Sequence, residues 1–181
     1  MLPPPLSSPP HPSHPSRMQT LLWRFIGQPL FACSPHTAHG FRRSLLNAFG
    51  AHLTGMVKIR RSVTIDQPWN LSAGHLTIFG DGAWLRLCAP VTIGQRCVIS
   101  QYTTLTTEML DPQTSKPRTQ PITIEDDCWI AADSLVLPGT TIHQGTVVGA
   151  RALVESDLPS WSIAVGEPAK AIKPRKYANA E

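Results

Sequence analysis

From Ile124 onward the chain reads IEDDCW IAADSL VLPGTT IHQGTV VGARAL VESDLP, and every sixth residue is aliphatic: Ile124, Ile130, Val136, Ile142, Val148 and Val154. Neither the 3.6-residue period of a helix nor the two-residue alternation of a strand produces that series. Four places after each aliphatic stand Cys128, Ser134, Thr140, Thr146, Ala152 and Leu158, mostly small. One large and one small side chain on each short, flat segment is what a three-sided coil needs, because three faces meet at a narrow axis with room for one bulky group from each. The pattern predicts a hexapeptide parallel β-helix with three segments to a turn, so that residues about eighteen apart stack at the inter-strand spacing of about 4.8 Å. An antiparallel sandwich of short strands predicts no sustained six-residue phase.

The same spacing recurs upstream at Leu87, Ile93, Ile99 and Leu105, and less regularly at Ile65 and Leu71. Between Gly74 and Leu85 it slips out of phase, so coil boundaries are expected there. A longer interruption follows Leu105. Glu108 to Gln120 read as a loop protruding from the solenoid, which Pro121 restarts. The solenoid is expected over residues 59–163, with a capping segment before it at 18–58 and an extension after it at 164–181 that runs back along its surface. In the capping segment, Ser34 as N-cap, Pro35 at the first helical position and Gly50 as the stop delimit an amphipathic helix. Phe41, Leu45, Leu46 and Phe49 share one face of it, suited to covering the open coil end, whose unpaired backbone would otherwise invite edge pairing.

Composition narrows the function classes. With 41% hydrophobic residues in 181, one domain with a sizeable core is expected. Many of the 18 prolines sit in MLPPPLSSPPHPSHPSR, residues 1–17, which has little to bury and reads as a disordered, polyproline-like tail ahead of a biological start at Met18. The tail lacks the basic start and long apolar stretch of a signal peptide. The stretch Leu21 to Cys33 is too short to cross a bilayer and carries Arg24 and Pro29; docking on the protein body is favoured over peripheral membrane contact. Cys33, Cys88, Cys97 and Cys128 show neither a C-x-x-C pair nor zinc-like spacing, so reduced thiols in the cytoplasm and no metal are expected. The net charge of +4 is not clustered with exposed aromatics, which disfavours nucleic acid, and the terminal KAIKPRK reads instead as a site for a small anionic ligand.

The segments FRRSLLNAFGA, PWNL, APVTIG with VISQ, PITIEDDCWIAA, LPGTTI, VVGARALV and GEPAKAIK, in that order over about residues 30–173, resemble the hexapeptide-repeat acyltransferases. Within that family the chain is similar to the colanic-acid-biosynthesis acetyltransferase-like proteins and, more distantly, to galactoside and maltose acetyltransferases. The resemblance implies an all-β fold, a single-stranded left-handed parallel β-helix, assembled as a homotrimer with acetyl-CoA in the groove between subunits. It implies O-acetylation of a sugar hydroxyl on a polysaccharide or its precursor. Trp129 matches the family's tryptophan, and Lys170 and Lys173 match basic positions near the CoA phosphates. Ala132 and Ala150, eighteen apart, should stack into a column of little bulk along which a pantetheine arm can lie.

One expected residue is missing. The family places a histidine just before the protruding loop, in a G-S-H-D-Y-like segment, to take the proton of a hydroxyl that is otherwise a poor nucleophile. Counting forward from VISQ puts Leu110 at that position; counting back from PITI puts Glu108 there. No histidine occurs between His75 and His143. Three readings follow: a non-catalytic trimeric pseudoenzyme or scaffold that keeps the β-helix, Glu108 as a substitute base made basic enough by burial with Asp111 as a polar neighbour, or His143, or a histidine of the adjacent subunit such as His75 or His52, reaching the site.

Overall fold

The structure is a computed structural model and describes residues 16–111 and 113–176. The expected proline-rich tail lies outside these residues apart from Ser16 and Arg17. Short strands, all but the last of two or three residues, wind in parallel through three sheets. The first sheet holds His52–Leu53, Leu71–Ala73, Val91–Ile93, Ile122–Ile124 and Thr141–Ile142. Lys58–Ile59, Ile78–Phe79, Val98–Ile99, Trp129–Ile130, Val147–Val148 and Ser162–Gly166 run through the second. In the third are Thr64–Ile65, Trp84–Arg86, Thr104–Thr106, Leu135–Val136 and Leu153–Val154. The predicted parallel β-helix is therefore present, five turns and the start of a sixth.

The aliphatic at the end of each segment points inward. Ile59, Leu85, Ile99, Leu105, Ile130, Val136, Ile142, Val148 and Val154 are all fully buried, each contributing about 1.5–3 kcal/mol from apolar area removed from water. The small residues four places on are buried as well, and those with hydroxyls satisfy carbonyls at the corners. Ser134 Oγ donates to the Ala131 carbonyl at 2.7 Å, and Thr140 Oγ1 to that of Leu137 at 2.9 Å. A hydroxyl fits the tight corner and pairs a buried acceptor that a methyl would leave unmet.

The turn is not uniformly eighteen residues. Thr123 pairs with Thr141 and Leu135 with Leu153, eighteen apart. In the first turns Leu53 pairs with Ala73, Ala73 with Ile93 and Ile65 with Leu85, twenty apart. The series Ala73, Phe79, Leu85 thus keeps the six-residue phase through the stretch where it was expected to fail. The slips lie instead at the corners between Ile65 and Ala73 and between Leu85 and Ile93. Leu71 and Leu87, which continue the count by six, are buried residues of these wider corners. Leu87 donates its N–H to Asp66 Oδ1 at 2.7 Å and its carbonyl accepts from Asn70 Nδ2 at 2.6 Å.

Helices cover the first turn. Arg17–Leu22 (α1) passes through a π-helical turn, Trp23–Gly27, into Gln28–Ala32 (α2), and His39–Ala48 (α3) follows. Trp23 Nε1 and Gln28 Nε2 both donate to the Ile65 carbonyl. The amphipathic helix starts four residues later than expected. Ser34 is no N-cap, because its hydroxyl donates to the Phe31 carbonyl and accepts from Arg42, and Ala38 precedes the helix. Gly50 does end it, at φ +94°, a value favouring glycine. Leu46 is buried and Leu45 and Phe49 pack on the core, but Phe41 is exposed and Arg42 takes the inward position.

Two excursions leave the coil. Glu108–Leu110 and Pro117–Thr119 form an antiparallel hairpin, with Glu108 opposite Thr119. After Ser162–Gly166, the strand Ala169–Pro174 returns antiparallel along it. The extension thus folds back on the last strand of the second sheet, and Arg175 Nη1 donates to the Asp127 and Gly145 carbonyls of the two turns before it.

Candidate active site

The corner between the second and third sheets carries the expected column of small residues. Register eighteen apart on both sides, Ile130 with Val148 and Leu135 with Leu153, sets Ala150 over Ala132. The Arg151 N–H donates to the Ala132 carbonyl at 3.0 Å, and the Asp133 N–H to that of Gln101 in the turn below. Asp133 and Arg151, next along, adopt left-handed φ of 60° and 59°, which folds the backbone sharply at each level. The result is a low-relief strip of two stacked alanine methyl groups, bordered by the exposed Arg151–Asp133 ion pair at 3.3 Å. Trp129, on the second sheet just before this corner, is 48% exposed, with Nε1 donating to Ser100 Oγ at 2.9 Å. The strip ends against the returning hairpin: the Gly149 N–H donates to the Ala164 carbonyl, and Val165 pairs with Lys170. Lys173 pairs with Ile163, which pairs with Val147, which pairs with Trp129. Both lysines are exposed. The fold therefore brings Trp129, Ala132, Ala150, Lys170 and Lys173 to one flank of the molecule.

The protruding hairpin lies at the other end of the third sheet. Glu108 is half-buried at its base, where its Oε2 accepts the Cys88 thiol at 3.3 Å. Burial, and then the Glu108 hydrogen bond and charge, push the Cys88 thiol up to about 11, so Cys88 stays protonated at neutral pH and is a donor here rather than a nucleophile. Sequence reasoning missed this contact because an eighteen-residue turn sets Pro90, not Cys88, below Glu108. Leu110 projects outward, 65% exposed. Asp111 stands at the hairpin tip, where its Oδ1 accepts the N–H groups of Gln113 and Thr114. Those bonds hold its carboxyl below the usual range, the Thr114 contact first, and commit it to shaping the turn. Beneath the hairpin a cavity of about 350 Å³ is lined by Met109, Arg118, Gln120, Leu137, Pro138, Gly139 and Glu155.

Within one chain these two groups do not meet. Glu108 follows the strand Thr104–Thr106 while Ala132 stacks over Gln101, which precedes it, so a whole face separates them. At about 3.3 Å per extended residue that is on the order of 15–20 Å. His143 and His75 stand on the corner between the first and second sheets, His143 Nδ1 lying 3.1 Å from Glu125 Oε1 in the turn below. Among the described residues no group of three His, Cys, Asp or Glu is placed to hold a metal ion, and no helix is long and apolar enough to cross a membrane.

A three-sided hexapeptide solenoid with a capping helix, one protruding hairpin and a methyl-lined corner defines the hexapeptide-repeat class of proteins. Comparisons place the chain within it more closely. It is 40% identical over 156 residues to the candidate colanic acid biosynthesis acetyltransferase WcaF of Escherichia coli K12, covering 85% of this chain and 86% of that protein. The chain therefore belongs to the hexapeptide-repeat acetyltransferase family and is an acyltransferase. No protein-family model matches it. The fold is shared with a hexapeptide-repeat acetyltransferase of Vibrio cholerae, at TM-score 0.80 and 23% identity over 90% of this chain and 95% of that one. It is likewise shared with a galactoside acetyltransferase solved with coenzyme A, at TM-score 0.79 and 22% identity over 88% and 82%.

Proposed function

We propose that this protein is a cytoplasmic, acetyl-CoA-dependent O-acetyltransferase acting on a sugar hydroxyl of a polysaccharide or its precursor, working as a homotrimer with Glu108 as the base. The observation that carries this reading is the separation of the two half-sites to opposite edges of one face. A rotationally related neighbour brings the edge with Ala132 and Ala150 against the hairpin edge with Glu108, completing a site that neither chain holds alone. Outward-facing Trp84 and Trp129, both about half exposed, supply apolar surface for that contact.

The residues fit the donor. An extended pantetheine arm lies along a strip bounded by methyl groups, where any larger side chain at Ala132 or Ala150 would obstruct it. Lys170 and Lys173, three-donor point charges on flexible stems, suit the phosphates at the far end. The Glu108 carboxylate takes the acceptor hydroxyl's proton as that oxygen attacks the thioester carbonyl carbon. The intermediate collapses by breaking the C–S bond, and the proton passes from Glu108 to the departing sulfur, leaving an acetyl ester and free CoA thiol. Leu110, exposed at one of the two positions that the resemblance assigns to the family's histidine, favours a second reading, a non-catalytic scaffold.

Calorimetric titration of acetyl-CoA followed by CoA-thiol release with a sugar panel separates the two. The enzyme reading expects binding and turnover in the wild type, with Glu108→Gln slower by roughly 10²–10⁴ at unchanged acetyl-CoA affinity. Binding without turnover, together with turnover gained by Leu110→His, would establish the scaffold instead.

A further inference from the structure

The helical run from Arg17 to Ala32 has two apolar faces. Trp23, Gly27 and Phe31, at intervals of four, are buried against the first turn of the solenoid. The opposite face repeats at three and four: Met18, Leu21, Leu22, Phe25, Ile26 and Leu30, all exposed, with Met18 at 70% and Phe25 at 69%. A helix that only docks on its own protein needs one apolar stripe; a second, contiguous one is covered by something else. Docking on the protein body, the expectation favoured over membrane contact for Leu21 to Cys33, leaves most of this segment's large apolar residues exposed.

Charge says what covers it. No acidic residue occurs before Asp66, and seven of the sixteen lysines and arginines do: Arg17, Arg24, Arg42, Arg43, Lys58, Arg60 and Arg61. From Asp66 onward nine basic residues are outnumbered by twelve acidic ones. The helical end of the molecule is therefore strongly positive while the rest is net negative. Arg17 and Arg24 are exposed, about two helical turns apart, beside the apolar stripe. Arg61 is exposed too, and lines a cavity with Trp23, Gln28 and Phe31 under the same helix. The residues before Ser16 are nearly all proline, serine and histidine and carry little apolar area to cover the stripe. A second copy of this chain would bring like charge against like.

We propose that this helix docks the protein on an anionic lipid bilayer. Met18, Leu21, Leu22, Phe25, Ile26 and Leu30 enter the boundary between headgroups and acyl chains, while Arg17, Arg24 and Arg61 meet lipid phosphates. The run is about 24 Å long at 1.5 Å per residue and lies in the plane of the membrane rather than across it.

Sedimentation of the full chain with large vesicles of phosphatidylcholine, with and without phosphatidylglycerol, tests this. Binding is expected to the anionic vesicles, to be weaker without the anionic lipid, and to fall as salt is raised. Phe25→Asp should cut the partition coefficient at least about tenfold and Arg24→Glu about fivefold. Both positions are exposed, so circular dichroism and the mass in solution should match the wild type. Absence of vesicle binding at low salt, or binding unaffected by Phe25→Asp, would overturn the proposal. A change of oligomeric mass in Phe25→Asp would also overturn it and give the stripe to a second copy.

Discussion

Arg42 is fully buried, yet it meets no carboxylate. Its Nε donates to the Ile59 carbonyl at 2.7 Å, its Nη1 to Ser34 Oγ and the Pro35 carbonyl, and its Nη2 to the His36 carbonyl, with His39 Nδ1 3.0 Å away. Burial, then Arg60 and Arg61, pull its pKa down from the ordinary value, but the carbonyls satisfy its planar fork and tie the Ser34–His39 connection to the second sheet. Arg42→Met leaves those acceptors unmet, and should cost about 2–4 kcal/mol in urea denaturation. Nothing in FRRSLLNAFG marks Arg42 as the inward residue. Phe41 is the better apolar candidate, and only the carbonyls converging from distant segments decide the matter. Cys88 makes a different prediction. Its thiol is held protonated up to about 11 in the fold, whereas an unfolded thiol ionises near 8.5. The unfolded chain therefore releases its proton first, and the stability Cys88 contributes is present below about 8.5 and is lost as pH rises toward about 11. Unfolding free energy measured across that window should fall less steeply in Cys88→Ser.

At the scale of elements, the repeat made the solenoid legible because a six-residue phase has no other simple origin. The corners were not, since two extra residues bring in another leucine, and Leu71 and Leu87 prolong the count while Ala73, Phe79 and Leu85 carry the register. An alanine in a core column is invisible to a search for large aliphatics. That error also hid the Cys88–Glu108 contact, which depends on a twenty-residue turn. The Ala132–Ala150 column was legible because it lies in the regular half. The hairpin Glu108–Thr119 stands apart from the core, its outer residues all exposed or half-exposed. Replacing residues 109–118 by a two-residue Asn-Gly turn should leave the melting temperature within a few degrees. Calorimetry should show acetyl-CoA affinity unchanged, while transfer to the sugar is lost. By contrast Ile130→Ala, deep in the second sheet, should cost about 2–5 kcal/mol through the cavity it opens.

At the scale of the whole molecule, the proposed site draws its base from one chain and its acetyl-CoA strip from a neighbour, because a full face separates Glu108 from Ala132 and Ala150 within the chain. The most direct test is CoA-thiol release by mixed subunits. Glu108→Gln lacks the base but keeps the strip; Ala150→Trp blocks the strip but keeps the base. Each alone should be inactive. Unfolded together in equal amounts and refolded, they should recover about a quarter of wild-type turnover, since random assembly leaves that share of interfaces with both halves intact. Activity that does not rise above that of the separate variants would contradict a site shared between neighbours.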